Sequence, residues 1–199
     1  MYKLLLATNN KGKVAEIKAL LGRTGLTLLT PADLGLTLEV TEDGLTYAEN
    51  ASKKATAFSQ ASGLLALGDD SGLEVDVLGG QPGRHSHRFC PIPDATDADR
   101  RNYLLEKLQE APRPWTAHFH ATVAVVLPSG EAHITSGQCD GEIIPEERGS
   151  NGFGYDPIFF IPEIGCTMAE LEMDEKNRLS HRALAIQNAI PFLKEIIGL

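Results

Sequence analysis

The chain has few cysteines and no surplus of positive charge, and both shortages exclude classes of function. Its 199 residues include only three cysteines, Cys90, Cys139 and Cys166, which are widely spaced and form no C-x-x-C pair. This usage favours a reducing compartment and indicates neither a disulfide framework nor a zinc site. With 18 basic against 27 acidic residues, the formal net charge is −9. We therefore expect no binding of a nucleic-acid polymer, because neutralising its phosphates requires a basic face.

Long apolar runs are also missing. No segment approaches the roughly 20 apolar residues that cross a bilayer, so we expect no membrane partner. The apolar stretch at Leu4–Ala7 is too short for a signal peptide, and polar residues follow it at once. Together with the cysteine usage, this predicts a cytoplasmic protein. A composition of 42% apolar and 23% charged residues is typical of a globular protein with a sizeable core.

The order of helical and strand patterns predicts a mixed α/β fold. Buried strands are predicted at Leu4–Ala7 and near Leu36–Val40, and a capping box at Thr46 opens a helix that extends to about Ser62. Strong β patterns from Trp115 to about Ile144, interrupted by one turn, predict a long hairpin. Because there is no internal repeat or linker, residues 1–199 are predicted to form a single domain.

The acid pair Asp69-Asp70 is the most informative feature of the sequence. An apolar run that ends at Gly68 precedes the pair, and the small residues Ser71 and Gly72 follow it. The run predicts a buried strand, which places the two acids at a strand end where small residues let a ligand approach. Adjacent like charges cost free energy unless a cation or a protonation offsets them, and a divalent metal that activates water would do so. A polar turn with two solvated acids is the alternative.

Two further segments suit phosphate and metal. The polar turn at residues 8–13 lies between the end of a strand and the start of a helix, where backbone N–H groups favour an anion. It lacks the G-x-x-x-x-G-K-[ST] pattern of a P-loop, and a solvated turn is its alternative. Glu42 and Asp43, which precede Gly44, fit equally well as metal ligands or as charges that complement the dipole of the next helix. On that helix Lys53 and Lys54 point about 100° apart, so one of them is predicted to face the site.

Two clusters near the end of the chain fit a nucleotide base. In Gly152–Pro157, which has the sequence Gly-Phe-Gly-Tyr-Asp-Pro, an aromatic ring held by glycines is suited to stack on a purine. The alternative is a hydrophobic turn that packs on the core. Arg182 follows Ser180 and His181 at the start of the last predicted helix, where its charge opposes the helix dipole. Such a local conflict favours a nearby anion or a carbonyl-rich base.

Taken together, these motifs resemble those of the dITP/XTP pyrophosphatases, the family that hydrolyses non-canonical purine nucleoside triphosphates. The matching segments follow the family's order along nearly the whole chain: residues 5–13, 42–46, 49–51, 69–76, 82–83, 152–160, 175–176 and 180–182. The resemblance implies a single pyrophosphatase domain, with two α/β lobes around a central cleft. It also implies a long, bent, mixed sheet flanked by helices, a homodimer and a dependence on Mg²⁺.

The resemblance further implies the reaction and the roles of individual residues. XTP, ITP and dITP are expected to yield the monophosphate and pyrophosphate. Asp70 is expected to accept the proton of the attacking water, while Glu42, Asp69 and Asp70 hold Mg²⁺. The expected substrate-binding residues are Thr8, Asn9, Asn10, Lys11, Gly12, Lys13, Lys54, Ser71, Phe153, Gly154, Tyr155, Asp156, Lys176, His181 and Arg182.

One segment departs from the family pattern. The family usually continues Pro-Gly-x-x-Ser-Ala-Arg-Tyr-Ala-Gly, whereas this chain, from Pro82 to Pro91, differs at His87, at Phe89 and at Cys90-Pro91. The resemblance therefore does not determine the conformation of this loop. Two other functions also remain open: a related pyrophosphatase that acts on other modified nucleotides, and a nucleotide sensor without turnover. The acid cluster favours an enzyme, because a protein that only binds nucleotide has no need of it.

Overall fold

The computed structural model describes residues 2–198, and its strands and helices alternate as expected for a mixed α/β chain. The strands are β1 (Lys3–Leu6), β2 (Thr27–Leu29), β3 (Leu65–Val75), β4 (Gln81–Gly83), β5 (Trp115–Val126), β6 (Ala132–Ile143), β7 (Phe159–Ile161) and β8 (Cys166–Thr167). The helices are α1 (Lys11–Leu21), α2 (Tyr47–Ser62), α3 (Asp97–Leu108), α4 (Met173–Leu179) and α5 (His181–Ile197). Short 3₁₀ turns connect several of these elements.

The strands form one mixed sheet, which confirms the predicted fold class. Their order is β2-β1-β3-β5-β6-β7-β8, and β4 pairs with β3. Strand β1 is parallel to both β2 and β3, whereas the pairs β3–β4, β6–β7 and β7–β8 are antiparallel. Among residues 2–198, no helix combines the length and the apolar character needed to cross a bilayer.

The chain divides into two compact units. The first comprises the residues up to Asp70, Ala121–Gly137 and the residues from Ser180 onward, and the second comprises Ser71–His120 and Gln138–Leu179. Each unit has its own apolar core. The nucleotide cleft between two lobes stays a prediction.

In the first unit, α2 lies unusually close to β3. Gly68 permits this approach, because a Cβ at that position would lie 2.2 Å from the Ala51 carbonyl oxygen. Ala51 and Ala55 also pack in one buried cluster with Ala124 and Val126 of β5. Small side chains on both surfaces thus let the helix backbone approach the sheet. As a result, polar residues of α2 reach the acids that follow Gly68.

The predicted strand at Leu36–Val40 is wrong. The strand beside β1 is β2, and residues 36–40 are irregular. Leu36, Leu38 and Val40 nevertheless pack against the buried Leu5 cluster. Alternating apolar residues therefore reflect burial of one side of a loop here, without the ladder hydrogen bonds of a strand.

The prediction that the acid pair ends a strand is also wrong. Strand β3 continues through Asp69 and Asp70 to Val75, because both of its halves have partners. Its first half pairs in parallel with β1, and its second half, from Leu73, pairs with β4. Successive side chains of a strand point to opposite faces, so the two acids lie on opposite sides of β3. This placement gives them different neighbours.

Candidate active site

Asp70 meets two residues of α2 in the first unit. The Asn50 amide Nδ2 donates to Asp70 Oδ2 over 2.9 Å. The Lys54 ammonium lies 3.6 Å from Asp70 Oδ1 and 3.2 Å from Glu42 Oε2. Two carboxylates from distant parts of the chain thus converge on one buried cation, and Glu42 and Lys54 are brought to Asp70 as predicted.

The electrostatics of Asp70 leave its charge under-compensated. Its side chain is almost fully buried, and burial raises the pKa of this carboxyl above its ordinary value, with the negative charge of Glu42 adding to the effect. The Lys54 charge and the Asn50 hydrogen bond oppose this shift without cancelling it. A raised carboxyl pKa means that the site favours either a proton or an added cation near Asp70.

Asp69 has the opposite environment. Its Oδ2 lies 2.5 Å from Lys13 Nζ, and its Oδ1 accepts from Arg182 Nε over 3.0 Å. Burial alone would raise the pKa of Asp69, but the charges of Arg182 and Lys13 outweigh it and hold this pKa well below its ordinary range. Both oxygens of Asp69 are therefore engaged by cations of the protein.

Arg182 is buried and has a second acidic partner that the sequence analysis missed. Its Nη1 donates to Glu16 Oε2 of α1 over 2.5 Å. Burial would lower the pKa of Arg182, but Asp69 and Glu16 outweigh it and raise the pKa further. The anion expected beside this misplaced arginine is thus provided by two carboxylates of the chain itself. Its predicted contact with a nucleotide stays a prediction.

The turn at residues 8–13 is shorter than predicted, because α1 already begins at Lys11. Asn10 caps this helix by accepting from the Lys13 backbone N–H over 3.0 Å, and the Thr8 hydroxyl accepts from the Asn10 N–H. The first helical turn contains Lys11 and Lys13 but no acidic residue. Positive side chains and the positive end of the helix dipole therefore add together here, as phosphate binding requires.

Lys53 and Lys54 are clearly separated. The Lys53 ammonium lies 2.6 Å from the Asp43 carboxylate, and both side chains are substantially exposed. The side chain of Lys54 is only 10% exposed and reaches the two acids of the site. Of the two lysines, Lys54 is therefore the one beside Glu42 and Asp70, and its binding of a triphosphate stays a prediction.

The acids of the first unit suit magnesium better than a protein-enclosed metal. In the part of the chain that the structure describes, no group of three or more His, Cys, Asp or Glu side chains is placed to hold a metal ion. Glu42 and Asp70 supply hard oxygen ligands from two carboxylates. Mg²⁺ usually binds through one or two carboxylates and takes its remaining ligands from water and phosphates. These residues therefore fit Mg²⁺ that binds together with a triphosphate.

The second unit brings together three of the predicted nucleotide-binding residues, Phe153, Asp156 and Lys176. Asp156 Oδ2 accepts from the Phe153 backbone N–H over 2.9 Å and from Lys176 Nζ over 2.6 Å. The Lys176 ammonium also lies 5.4 Å from the centre of the Phe153 ring. Lys176 reaches this position from α4. The turn is thus fixed around one buried ion pair.

Two residues of α3 bind the backbone N–H and carbonyl of Gly154, which follows Phe153 in this turn. Asp97 Oδ2 accepts from the Gly154 N–H over 2.8 Å, and Arg101 Nη1 donates to the Gly154 carbonyl over 2.8 Å. Two further nitrogens of Arg101 donate to the Glu147 carboxylate. The sequence analysis missed both α3 residues, and no local pattern singles them out.

The loop that departs from the family pattern is held both through Ser86, which matches the pattern, and through residues that differ from it. Ser86 Oγ accepts from the Leu73 N–H over 2.9 Å, and its carbonyl accepts from the Tyr155 hydroxyl over 2.8 Å. The His87 carbonyl accepts from Arg100 Nε. Side chains at two differing positions also contact α3: His87 Nε2 lies 3.3 Å from Arg100 Nη2, and the Phe89 ring packs edge-on against Tyr103 with 5.2 Å between ring centres. The loop therefore keeps its tie to Tyr155 despite the substitutions.

Three remaining predicted residues have less specific positions. Ser180 caps α5 by accepting from the Ala183 N–H, and His181 begins this helix with a buried side chain. Ser71 lies in β3 immediately after Asp70. Ser180 thus has the capping position that its sequence context indicates, while the substrate contacts of His181 and Ser71 stay predictions.

Comparison with known proteins gives one consistent family. The chain matches the model of the Ham1 family over residues 4–192. It is 45% identical to the dITP/XTP pyrophosphatase of Desulforamulus reducens over 195 residues, which cover 98% of this chain and 96% of that protein. It is 44% identical to a dITP/XTP pyrophosphatase of Thermus thermophilus over 194 residues, with 97% and 92% covered.

Solved structures agree with this result. The fold is similar to that of a HAM1 protein from Coxiella burnetii, with a TM-score of 0.88, 37% identity, and 98% of this chain and 100% of that chain covered. It is also similar to the Ham1 protein of Staphylococcus aureus, with a TM-score of 0.85, 34% identity, and 97% and 98% covered.

Proposed function

The chain belongs to the Ham1 family, and from this premise we propose its reaction and the residues that perform it. It is a nucleoside triphosphate pyrophosphatase that hydrolyses non-canonical purine nucleotides, dITP, XTP and ITP, to the monophosphate and pyrophosphate. The family resemblance of the sequence motifs is thereby confirmed. The observation that supports the site is the convergence of Glu42 and Asp70 on Lys54.

Asp70 acts as the base. Water forms a bond to the α-phosphorus, the bond to the bridging oxygen breaks, and the proton of the water passes to the Asp70 carboxylate. The Asn50 hydrogen bond holds this carboxylate in one orientation, as a general base requires. Proton transfer to a positioned base contributes about 10²–10⁴-fold to the rate. The raised pKa of Asp70 increases its affinity for that proton.

The charges of the first unit stabilise the leaving pyrophosphate. Glu42 and Asp70 are the residues that would hold Mg²⁺, which when bound neutralises phosphate charge and polarises the oxygens around the reacting phosphorus. Lys13, Lys54 and the start of α1 add positive charge for the triphosphate. Asp69 orients this set, because it binds both Lys13 and Arg182. We therefore propose that Asp69 positions Lys13 and Arg182, and that Asp70 rather than Asp69 binds the metal.

The base is recognised by residues of the second unit. Phe153 offers a ring for stacking, and Lys176 together with backbone groups of the turn provides donors. Donors that bind the 6-oxo group of hypoxanthine or xanthine have no partner in the 6-amino group of adenine. An unpaired buried donor discriminates strongly against the wrong base. The ion pair of Lys176 with Asp156 supports this proposal, since it fixes the turn in one conformation.

Two further properties follow from the resemblance. We propose that the protein acts as a homodimer and works in the cytoplasm. The cysteine usage supports the second point, because three unpaired thiols suit a reducing compartment.

The reaction is tested by incubating the protein with Mg²⁺ and each of ITP, XTP, dITP, GTP and ATP, and by measuring pyrophosphate and orthophosphate separately. We expect pyrophosphate from the first three nucleotides and little from GTP or ATP. Orthophosphate as the direct product, or equal rates for all bases, would overturn the proposal. Binding of ITP without any product would favour the sensor function instead.

A further inference from the structure

Asn50 links the two acids of the site, and the proposed reaction leaves part of this arrangement unexplained. The residue is 1% exposed and lies in the first turn of α2. Its Nδ2 donates to Asp70 Oδ2 over 2.9 Å, while its Oδ1 accepts from the Gly44 backbone N–H over 2.8 Å. Gly44 is two residues from Glu42. The Asn50 side chain therefore contacts both Asp70, the catalytic base, and the segment that carries Glu42.

The Glu42 segment is fitted closely to α2 at this point. A Cβ on Gly44 would lie 2.6 Å from Asn50 Oδ1 and 2.8 Å from Glu49 Cβ, so a side chain there has no room. The next residue, Leu45, donates its N–H to Glu49 Oε2 over 2.5 Å. Residues 36–44 have no regular secondary structure, so these bonds to α2 provide order that a strand or helix would otherwise supply.

The chemistry of the amide explains why asparagine occupies this position. The Gly44 N–H needs an acceptor and the Asp70 carboxylate needs a donor, and an asparagine side chain offers both at one short distance from the helix. Aspartate would retain the acceptor but would lose the donor and place a like charge beside Asp70. Leucine has nearly the same shape but offers neither. Both groups of Asn50 are also buried, where unsatisfied partners are costly.

We propose that Asn50 is a positioning residue that holds the Asp70 carboxylate and the Glu42 segment in register, and thereby sets the metal affinity of the site. This inference rests on the proposed function, in which these two carboxylates bind Mg²⁺. In this proposal Asn50 acts through its bonds to Gly44 and Asp70 and is assigned no contact with metal or substrate. Residues that orient metal ligands in this way typically change metal affinity or activity by about 10–100-fold when they are replaced.

The test compares Asn50→Leu and Gly44→Ala with the wild-type protein. Mn²⁺ binding is measured by electron paramagnetic resonance without nucleotide, and the Mg²⁺ concentration for half-maximal pyrophosphate release is measured with dITP. We expect the Mn²⁺ dissociation constant and this Mg²⁺ concentration to rise about tenfold or more in each variant, with a smaller change in KM at saturating Mg²⁺. Because both substitutions disrupt one contact, the double variant should be hardly worse than either single variant.

Ser59→Ala is the matched control. Ser59 is equally buried on α2, and its hydroxyl donates to the Leu64 carbonyl over 2.7 Å, away from the acids. This control should lower Tm and leave both metal measurements unchanged. If Asn50→Leu and Gly44→Ala behave like Ser59→Ala, with a lower Tm and wild-type metal dependence, the inference is wrong. If the wild-type protein releases no pyrophosphate, the proposed function fails instead, and the Mn²⁺ measurement still decides the role of Asn50.

Discussion

Asp69 and Asp70 are consecutive residues of β3, yet their carboxylates have opposite electrostatic environments. Lys13 and Arg182 hold the pKa of Asp69 far below its ordinary range, although burial alone would raise it. Burial raises the pKa of Asp70, and Lys54 compensates only in part. The alternation of side chains along a strand is the cause, because it directs one acid toward α1 and α5 residues and the other toward α2. The two acids therefore affect stability differently.

Replacing Asp69 should destabilise the protein. Asp69→Asn removes the charge that neutralises buried Arg182 and Lys13, and breaking a buried ion pair from one side costs about 3–5 kcal/mol. A lowered carboxyl pKa means that folding favours the ionised form, so this contribution is present at neutral pH and is lost as pH falls through the folded-state pKa. We expect a lower Tm for Asp69→Asn at pH 7 in EDTA, and an unchanged Tm would contradict the assignment.

Replacing Asp70 should have the opposite effect. A raised pKa means that folding disfavours the ionised form, so the charge of Asp70 reduces stability at neutral pH in the absence of metal. Asp70→Asn should therefore raise the free energy of unfolding in EDTA, while turnover is abolished. Thermal unfolding and pyrophosphate release measure the two effects on one sample. A variant with near wild-type activity would show that another group is the base.

Lys54 and Lys53 form a matched pair on α2. Lys54→Met removes the cation between Glu42 and Asp70, and we expect kcat/KM for dITP to fall about 10²–10³-fold. Lys53→Met removes only an exposed ion pair with Asp43, which is worth little, so its kcat/KM should stay within about twofold of wild type. Equal losses in the two variants would contradict the assignment of Lys54.

Helix α3 should influence base selection through Gly154. Arg101→Ala removes the bond to the Gly154 carbonyl and both bonds to Glu147, which loosens the turn that carries Phe153. We expect a higher KM for dITP and a smaller ratio of kcat/KM between dITP and dATP, by about tenfold. Lys107→Ala, on the same helix, is the control, since the Lys107 ammonium lies over the Tyr103 ring rather than at the turn. An unchanged preference for dITP over dATP in Arg101→Ala would show that α3 does not influence recognition of the nucleotide base.

The sequence predicts those elements whose local signals agree with their tertiary role. Helix α3 has a capping box at Thr96 and apolar residues at helical spacing, and it forms over Asp97–Leu108 as these signals indicate. In the middle of β3 the local signal disagrees with the structure, because Asp-Asp-Ser-Gly has the composition of a turn. Pairing with β1 and β4 overrides that preference, and no local pattern encodes such pairing.

The residues of the candidate site differ in the same way, since sequence signals identify some of them and not others. The family resemblance names Glu42, Lys54 and Asp70, which the structure brings together, although helical spacing alone leaves Lys53 and Lys54 as alternatives. The bond from Arg182 to Glu16 joins residues 166 positions apart, so no spacing rule indicates it. Asn50 was not predicted, but a sequence signal for it exists, since it lies four residues before Lys54 on one helix face. Helical spacing within the matched segment at residues 49–51 is the signal that would have identified it.

Glu42 and Asp43 provide the last prediction, on the metal itself. They are neighbours in one loop, but only Glu42 reaches Lys54 beside Asp70, while Asp43 pairs with Lys53 at the surface. Glu42→Gln keeps the shape of the side chain and removes one charged oxygen ligand. We expect it to raise the half-saturating Mg²⁺ concentration at least about tenfold, since Mg²⁺ is held by few protein carboxylates. Asp43→Asn should leave this concentration unchanged.

Activity after treatment with EDTA and titration with MgCl₂ measures both variants, and Tm is recorded on each sample. Because the exposed Asp43 carboxylate contributes little to stability, a similar Tm in the two variants would show that the metal effect is not a consequence of unfolding. The opposite ranking, with Asp43→Asn more dependent on Mg²⁺ than Glu42→Gln, would move the second metal ligand one residue along the chain. It would also require the loop to turn away from α2, which the hydrogen bond from Gly44 to Asn50 opposes.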